Sequence, residues 1–210
     1  TIGDWAFNGS ASLTTISFPA SLTSIGYYAF NTCNFTSITC NAVTPPSAST
    51  AFPSTDASAL VYVPAESVDA YKAADGWSKF TNWIIASGTC GDNLAWMLSD
   101  EGELVIEGTG EMYNYSNNPA APWNSYSGSI KSVDIKDGVT SIGSWAFAQC
   151  SALTDVSISE SVTNIGGDAF RECRTLEEIT LPAGLTQLGT GVFLYCDALK
   201  SITVPEGVTI

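Results

Sequence analysis

The fold is decided by the nine residues IGSWAFAQC at positions 142–150, because this stretch returns twice at a spacing of 23 residues. The next copy runs from Ile165-Gly166 through Ala169-Phe170 to Cys173, and the third from Leu188-Gly189 through Val192-Phe193 to Cys196. Three downstream columns keep the same step: Leu153, Leu176 and Leu199; Val156, Ile179 and Ile202; Ile158, Leu181 and Val204. The N-terminal part repeats the design around Ala6-Phe7 and Ala29-Phe30. Such a fixed period predicts a repeat architecture.

Each unit has a readable local structure. The segment 153–158 alternates and is rich in β-branched residues, which predicts a short strand. A turn follows, Ile165-Gly166 leads the chain back inward, and Ala169-Phe170 is expected on a short helical turn with Phe170 in the core. One unit cannot bury its apolar residues alone, whereas stacked units bury them as ladders of like residues. We therefore expect a parallel sheet with strands about 4.8 Å apart.

The repeat resembles the BspA-like leucine-rich repeat family of bacteria, with the pattern IGxxAFxxCxxLxxIxIPxxVTxIG. The sequence departs from this pattern where Ser10 replaces the cysteine and where the spacing after Cys33 is one residue short. The resemblance implies an α/β repeat fold, a right-handed leucine-rich-repeat solenoid with a parallel sheet and short helical turns. It also implies an extracellular or cell-surface location and adhesion to host or matrix proteins.

Two arrays are expected along the chain. Residues 1–86 form the first, with a degenerate repeat at 41–64 and a C-terminal helical cap at 65–86 that seals the open end of the stack. Residues 88–129 hold a β-hairpin leader, predicted from 94–98 and 103–107, and an irregular loop anchored by Trp123 and Tyr126. Residues 130–210 form the second array, truncated at its C-terminus. Since the chain begins and stops within the pattern, we expect a mature fragment or an excised piece of a longer protein.

The amino-acid composition disfavours several classes of partner and site. With 7 basic and 21 acidic residues the formal net charge is −14, which disfavours nucleic acid and anionic membrane surfaces. Basic proteins, cations and neutral glycans remain open. The sequence lacks a run of about 18 apolar residues, so no membrane insertion is expected. Histidine is absent, which excludes sites that need it as a base or a metal ligand.

Six cysteines are present, and none is in a CxxC pair. Cys33, Cys150, Cys173 and Cys196 each follow the repeat phenylalanine by three residues, which favours small buried residues in a ladder over a metal site. Cys40 and Cys90 lie outside this column, and a disulfide between them would tie the arrays together. We expect neither a metal nor a cofactor.

The outward positions of the predicted sheet form the candidate binding surface. They are small and polar: Ser132, Asp134, Lys136, Asp155, Ser157, Glu178, Thr180, Ser201 and Thr203. Asp155 and Glu178 are expected on adjacent strands about 5 Å apart, close to the carboxyl spacing of retaining glycosidases. Both should face solvent, however, and catalysis needs a water-excluding pocket that separates their pKa values. We therefore expect no enzyme, and a glycoside-active enzyme is a remote alternative.

A second candidate surface is the column two residues before the phenylalanine. It holds Trp5, Tyr28 and Trp145, which could stack on sugars or contact a partner, although aromatic residues there more often cover the edge of the core. Together these features favour a non-enzymatic interaction module that binds a protein or a glycan. The alternative is a structural spacer that displays another domain of a larger surface protein.

Overall fold

The computed structural model describes residues 1–117 and 120–209. Two compact units follow each other along the chain, Thr1–Ala86 and a second that begins at Ser87. The described chain contains about seven solenoid turns in total, with a mostly parallel sheet and little helix. The middle of the loop expected before the second array, at positions 118–119, lies outside the described residues, as does position 210.

Short parallel strands build the first unit. They are β1 (Thr15–Phe18), β2 (Ser37–Cys40), β3 (Leu60–Tyr62) and β4 (Asn82–Thr89), the last of which contains the division between the units. Phe18 pairs with Cys40 and Val61 with Trp83, so apolar columns stay in register from turn to turn. The expected helix is a 3-10 turn, Ala65–Ser67, followed by α1, Val68–Ala73. It ends at Ala73 because Ala74 takes an extended conformation, with φ −83° and ψ 136°.

The second unit opens with an antiparallel pair, β5 (Leu94–Ser99) and β6 (Glu103–Gly108), where the hairpin is expected. Strand β6 continues in parallel with β8 (Ser132–Ile135), and β8 with β10 (Asp155–Ile158). A second parallel sheet joins β7 (Gly110–Glu111), β9 (Val139–Ile142), β11 (Asn164–Ile165) and β12 (Gln187–Leu188). A 3-10 turn, Asn124–Tyr126, precedes the array.

The segment around each phenylalanine is not the helical turn that the sequence suggested. Alternate N–H groups donate to the next repeat over 2.7–3.0 Å: Trp145 to Gly167, Phe147 to Ala169 and Gln149 to Arg171. The N–H groups between them bond within the turn, as from Cys150 to Phe147. Trp145 and Gln149 have φ values of 59° and 63°, left-handed conformations that an α-helix cannot contain. Bonding to the neighbouring repeat therefore replaces helical bonding.

The core of each unit is an aromatic ladder. Phe170 is fully buried and stacks on Phe147 at 5.2 Å and on Phe193 at 5.8 Å between ring centroids. In the first unit Phe30 stacks on Phe7 at 5.2 Å and on Phe52 at 5.4 Å. Because each ring covers the next, the apolar surface that one turn leaves open is buried by its neighbour.

Candidate functional site

The residues predicted to form the outer sheet face differ in their exposure. Ser132 and Asp134 of β8 are half-buried, and Asp155 and Ser157 of β10 are exposed. The exposed set continues along the next turns with Glu178, Thr180, Ser201 and Thr203. Val133 and Val156, between the polar positions, are buried. This alternation arises because successive side chains of a strand point to opposite faces.

Backbone pairing brings these side chains together in two groups. Asp155 pairs with Ser132 and Ser157 with Asp134 in the ladder between β10 and β8. Glu178 pairs with Ser201 through an isolated parallel bridge. The two acids are not on adjacent strands as expected, because Asp155 lies in the last strand of the sheet and Glu178 forms only an isolated bridge. Their expected separation of about 5 Å remains a prediction.

A groove of about 420 Å³ lies at the second of these groups. Glu178, Thr180, Ser201 and Thr203 line it together with apolar residues that include Ile179 and Leu181. The groove is open to solvent, so a bound segment would remain exposed on one side. Such a surface suits contact with a macromolecule better than catalysis, which needs a site that excludes water.

Charges on this part of the surface are partly paired. Lys136 donates to the Asp134 carboxylate, and this hydrogen bond raises the pKa of Lys136. Lys200 lies 2.5 Å from a Glu177 oxygen, and that contact likewise raises the pKa of Lys200. Asp155 and Glu178 are therefore the sheet-face acids most available to an incoming partner.

The aromatic column is more exposed in the first unit than the core-edge interpretation suggested. Trp5 is 49% exposed, and its ring centroid lies 5.4 Å from Tyr27 and 5.0 Å from Tyr28. Tyr27, 48% exposed, completes the cluster and was missed because it lies one position outside the repeating column. Its N–H donates to Asp4 over 2.7 Å, which fixes the backbone beside the rings.

In the second unit the same column holds Trp145, which is half-buried. The Arg171 guanidinium lies 5.5 Å from the Trp145 ring and 5.5 Å from the Tyr195 ring, between the two. Asp168 and Glu172 contact it at 3.4 and 3.3 Å, and these carboxylates raise the pKa of Arg171. Trp145 therefore contacts a guanidinium of its own chain, whereas Trp5 contacts two tyrosine rings.

The cysteine column is a hydrogen-bonded ladder. All six cysteines are buried and unpaired, so the structure shows no disulfide between Cys40 and Cys90. Cys173 donates its thiol to the Phe147 carbonyl at 3.2 Å, and Cys196 donates to Phe170 at 3.1 Å. Within residues 1–117 and 120–209 no cluster of three or more acidic or cysteine residues could hold a metal.

Comparison with known proteins identifies the repeat. A model described as BspA type leucine rich repeat region matches six copies, over residues 1–67 and 124–210. The chain belongs to this family. Members of the family are repeat proteins that typically mediate protein interactions or lie at the cell surface. They are generally non-enzymatic scaffolds. A search of curated proteins found no match.

Solved structures of leucine-rich repeat proteins are similar at low identity. A leucine-rich repeat protein from Eubacterium ventriosum is 28% identical, with 59% of this chain and 39% of that one covered and a TM-score of 0.47. One from Bacteroides ovatus is 20% identical, covering 99% and 65%, with a TM-score of 0.41. A leucine rich cell surface protein from Faecalibacterium prausnitzii is 18% identical, covering 96% and 62%, with a TM-score of 0.30. The chain spans less than two thirds of each of these proteins.

The BspA-type array contains little helix. Across the described residues, 1–117 and 120–209, no helix has the length and apolar character that crossing a bilayer requires.

Proposed function

We propose that this chain is a non-enzymatic, adhesin-like interaction module, located outside the cell or on its surface, that binds a host or matrix protein or a glycan. The observation that supports this most is the series of exposed side chains on successive turns from Asp155 to Thr203, the last four of which line the 420 Å³ groove. Exposed side chains on successive stacked turns offer an extended surface, which is how repeat proteins recognise partners.

Charge favours a basic or neutral ligand. With a net charge of −14, the chain repels anionic surfaces and attracts cationic ones at low ionic strength. Binding of a basic protein through Asp155 and Glu178 would weaken as salt is added, because exposed charges are screened beyond about 8 Å at physiological salt. Binding of a neutral glycan would depend little on salt.

The test is a screen of the chain against glycan and matrix-protein arrays, repeated with an Asp155→Lys, Glu178→Lys double variant. We expect the sheet-face variant to lose the signal of a basic protein. The matched control is a Glu66→Lys, Asp75→Lys double variant, which reverses the same number of charges at exposed residues of the first unit and should keep the signal. Clean negatives across both arrays, or equal losses in the two variants, would contradict the proposal.

A structural spacer that displays another domain is the second candidate. It is favoured by the chemistry of the row itself, since Ser157, Thr180, Ser201 and Thr203 offer none of the aromatic or arginine side chains that dominate tight protein interfaces. Deleting the chain from its parent and restoring its length with an unrelated rigid repeat discriminates the two. Restored activity would indicate a spacer, and lost activity an interaction module.

We also propose that residues 65–86 cap the first array, as the sequence suggested. Within the stack, a phenylalanine carbonyl accepts the thiol of the next repeat, as Phe7 does from Cys33 at 3.3 Å. At Phe52 the acceptor is met instead by the Lys79 ammonium, 2.8 Å away, which also reaches the Thr55 carbonyl at 2.6 Å. Lys79 therefore substitutes for the missing thiol of a further repeat.

Replacing Lys79 tests the cap. Lys79→Met leaves two part-buried carbonyls without this donor and should cost about 1–3 kcal/mol of stability. Lys131→Met, at an exposed lysine, is the control and should change stability by less than about 0.5 kcal/mol. Urea titrations measure both, and equal effects would refute the capping role of Lys79.

The hairpin is proposed as the corresponding leader of the second array. Leu104 and Ile106 of β6 are buried and pair with Val133 and Ile135 of β8, so β6 covers the first strand of the array. Trp123 extends the aromatic ladder, stacked on Phe147 at 5.6 Å, and its Nε1 donates to the Ala146 carbonyl over 2.8 Å.

A further inference from the structure

A second groove, of about 430 Å³, lies at the open end of the hairpin in the second unit, away from its turn. The antiparallel ladder ends at the pair Leu94 and Gly108, and the chain then leaves the hairpin to form β7, which pairs with β9 in the other sheet. The groove lies where the chain passes from one sheet to the other.

The walls of this groove are fixed by close backbone packing. A Cβ at Gly91 would lie 2.4 Å from the Glu111 carbonyl oxygen, and one at Gly108 would lie 2.1 Å from that of Asn93. The Tyr113 N–H donates to the Cys90 carbonyl over 2.8 Å. The groove is therefore formed in advance of any ligand, which keeps the entropic cost of binding low.

Its lining combines one aromatic ring with oxygen and amide groups. Tyr113 is 48% exposed, and its hydroxyl donates to Asp92 over 2.7 Å, which orients the ring. The same bond raises the pKa of Tyr113, so its hydroxyl stays protonated at neutral pH. Glu111, Asn93 and Thr109 supply further polar groups. The Asn114 Oδ1 accepts the Ser144 N–H at 2.8 Å, which leaves its amide hydrogens to another acceptor.

This chemistry selects among ligand classes. Among the described residues, the lining holds two carboxylates and no lysine or arginine, which disfavours phosphate, sulfate and uronic acids. Two carboxylates are few for a calcium site, which takes six to eight oxygen ligands. A pyranose fits: its C–H face packs on an aromatic ring, and its hydroxyls donate to carboxylate and amide oxygens. A volume of about 430 Å³ falls in the range of small-ligand sites.

We infer that the groove lined by Asp92, Asn93, Thr109, Glu111, Tyr113 and Asn114 binds one pyranose ring of a neutral glycan, stacked on Tyr113. The inference rests on the proposed interaction function and assigns it a glycan site distinct from the sheet face. Asp92 acts twice in it, by orienting the tyrosine ring and by accepting a sugar hydroxyl with its second oxygen.

The experiment titrates the 15N-labelled chain with neutral methyl pyranosides of glucose, galactose, mannose and N-acetylglucosamine at millimolar concentration, and follows backbone NMR shifts. We expect at least one sugar to shift the signals of residues 92–93 and 109–114. Tyr113→Ala should weaken its binding by about tenfold, equivalent to 1.4 kcal/mol. Tyr113→Phe, which keeps the ring, should lose less, and Tyr195→Ala, at another exposed tyrosine, should bind as the unmodified chain does.

Several results would overturn the inference. Sugar shifts confined to the sheet face, or an affinity unchanged in Tyr113→Ala, would refute the groove while leaving the interaction function standing. Calcium chloride that shifts the groove signals when no sugar does would show a cation site instead. Methyl glucuronide binding better than methyl glucoside would contradict the charge argument. If no sugar shifts any signal and the protein array is also negative, the proposed function falls with the inference.

Discussion

Removing the central ring of the second aromatic ladder should destabilise the protein strongly. Phe170 has no exposed surface and lies between Phe147 and Phe193, with centroid distances of 5.2 and 5.8 Å. Phe170→Ala removes a whole buried ring and leaves a cavity, which costs about 3–5 kcal/mol. Two stacked contacts are lost as well, each worth about 0.5–1.5 kcal/mol beyond its buried area. We therefore expect a value in the upper half of that range.

Urea unfolding followed by far-UV circular dichroism measures this loss. With a slope of about 2 kcal/mol/M, a loss of 4 kcal/mol moves the midpoint by about 2 M. Because repeat arrays can unfold in parts, hydrogen exchange should accompany the titration and locate the loss to residues after Ser87. Phe170→Leu keeps most of the volume, should cost about 1–1.5 kcal/mol, and serves where the alanine variant is too unstable to measure.

Two controls separate burial from composition. Phe7 is in the same repeat position but 40% exposed, with one stacked neighbour, so Phe7→Ala should cost about 1–2 kcal/mol. Asp155→Ala, on the exposed sheet face, should change stability by less than about 0.5 kcal/mol. Comparable losses from Phe170→Ala and Asp155→Ala would show that the assignment of inner and outer faces is wrong.

Three further predictions follow from the turns and the thiols. Burial raises the pKa values of Cys90 and Cys150 to about 12 from 9.0, so the unfolded chain loses these protons first as the pH rises. The free energy of unfolding should therefore fall between pH 9 and 12, by up to about 1.4 kcal/mol per pH unit for each thiol. A urea midpoint that stays constant across pH 8–10.5 would contradict this. Gln149 is exposed and has a φ of 63°, a conformation that glycine adopts without strain. The Gln149→Gly variant should therefore be more stable than Gln149→Ala by about 0.5–1 kcal/mol in thermal melting. A more stable alanine variant would refute this prediction. Thr186 donates its hydroxyl to the Thr163 carbonyl over 3.0 Å, so Thr186→Val should cost about 0.5–1 kcal/mol in urea titrations, and no loss would show that solvent replaces this bond.

The 23-residue period of the sequence determined the outline of the fold. Since Phe147, Phe170 and Phe193 recur at 23-residue steps, equivalent residues had to stack, and the alternation around Val156 determined which neighbours face out. Three threonines spaced 23 residues apart donate their hydroxyls to carbonyls of the preceding repeat: Thr163 to Thr140, Thr186 to Thr163 and Thr209 to Thr186. Family membership followed from the same columns.

The turn conformation was predicted incorrectly from the sequence. Ala169-Phe170 looks helical because its local spacing resembles one helical turn, yet Asp168 and Glu172 take φ values of 54° and 60°. What decides is the neighbouring repeat, whose carbonyls draw the alternate N–H groups out of the turn. Glycines hold the same positions in other repeats, at Gly9 and Gly191, and were the local signal of this left-handed conformation.

The candidate sites divide in the same way. Sequence alone determined which side chains of the repeat are buried and which are offered to solvent, because periodicity is a property of the chain. Only the tertiary structure decided that Tyr27 joins Trp5, that Arg171 occupies Trp145, and that the hairpin and β7 diverge to leave a groove beside Tyr113. Each of these contacts involves a residue outside the repeating columns, where the sequence has no period and spatial proximity is set by how the turns stack.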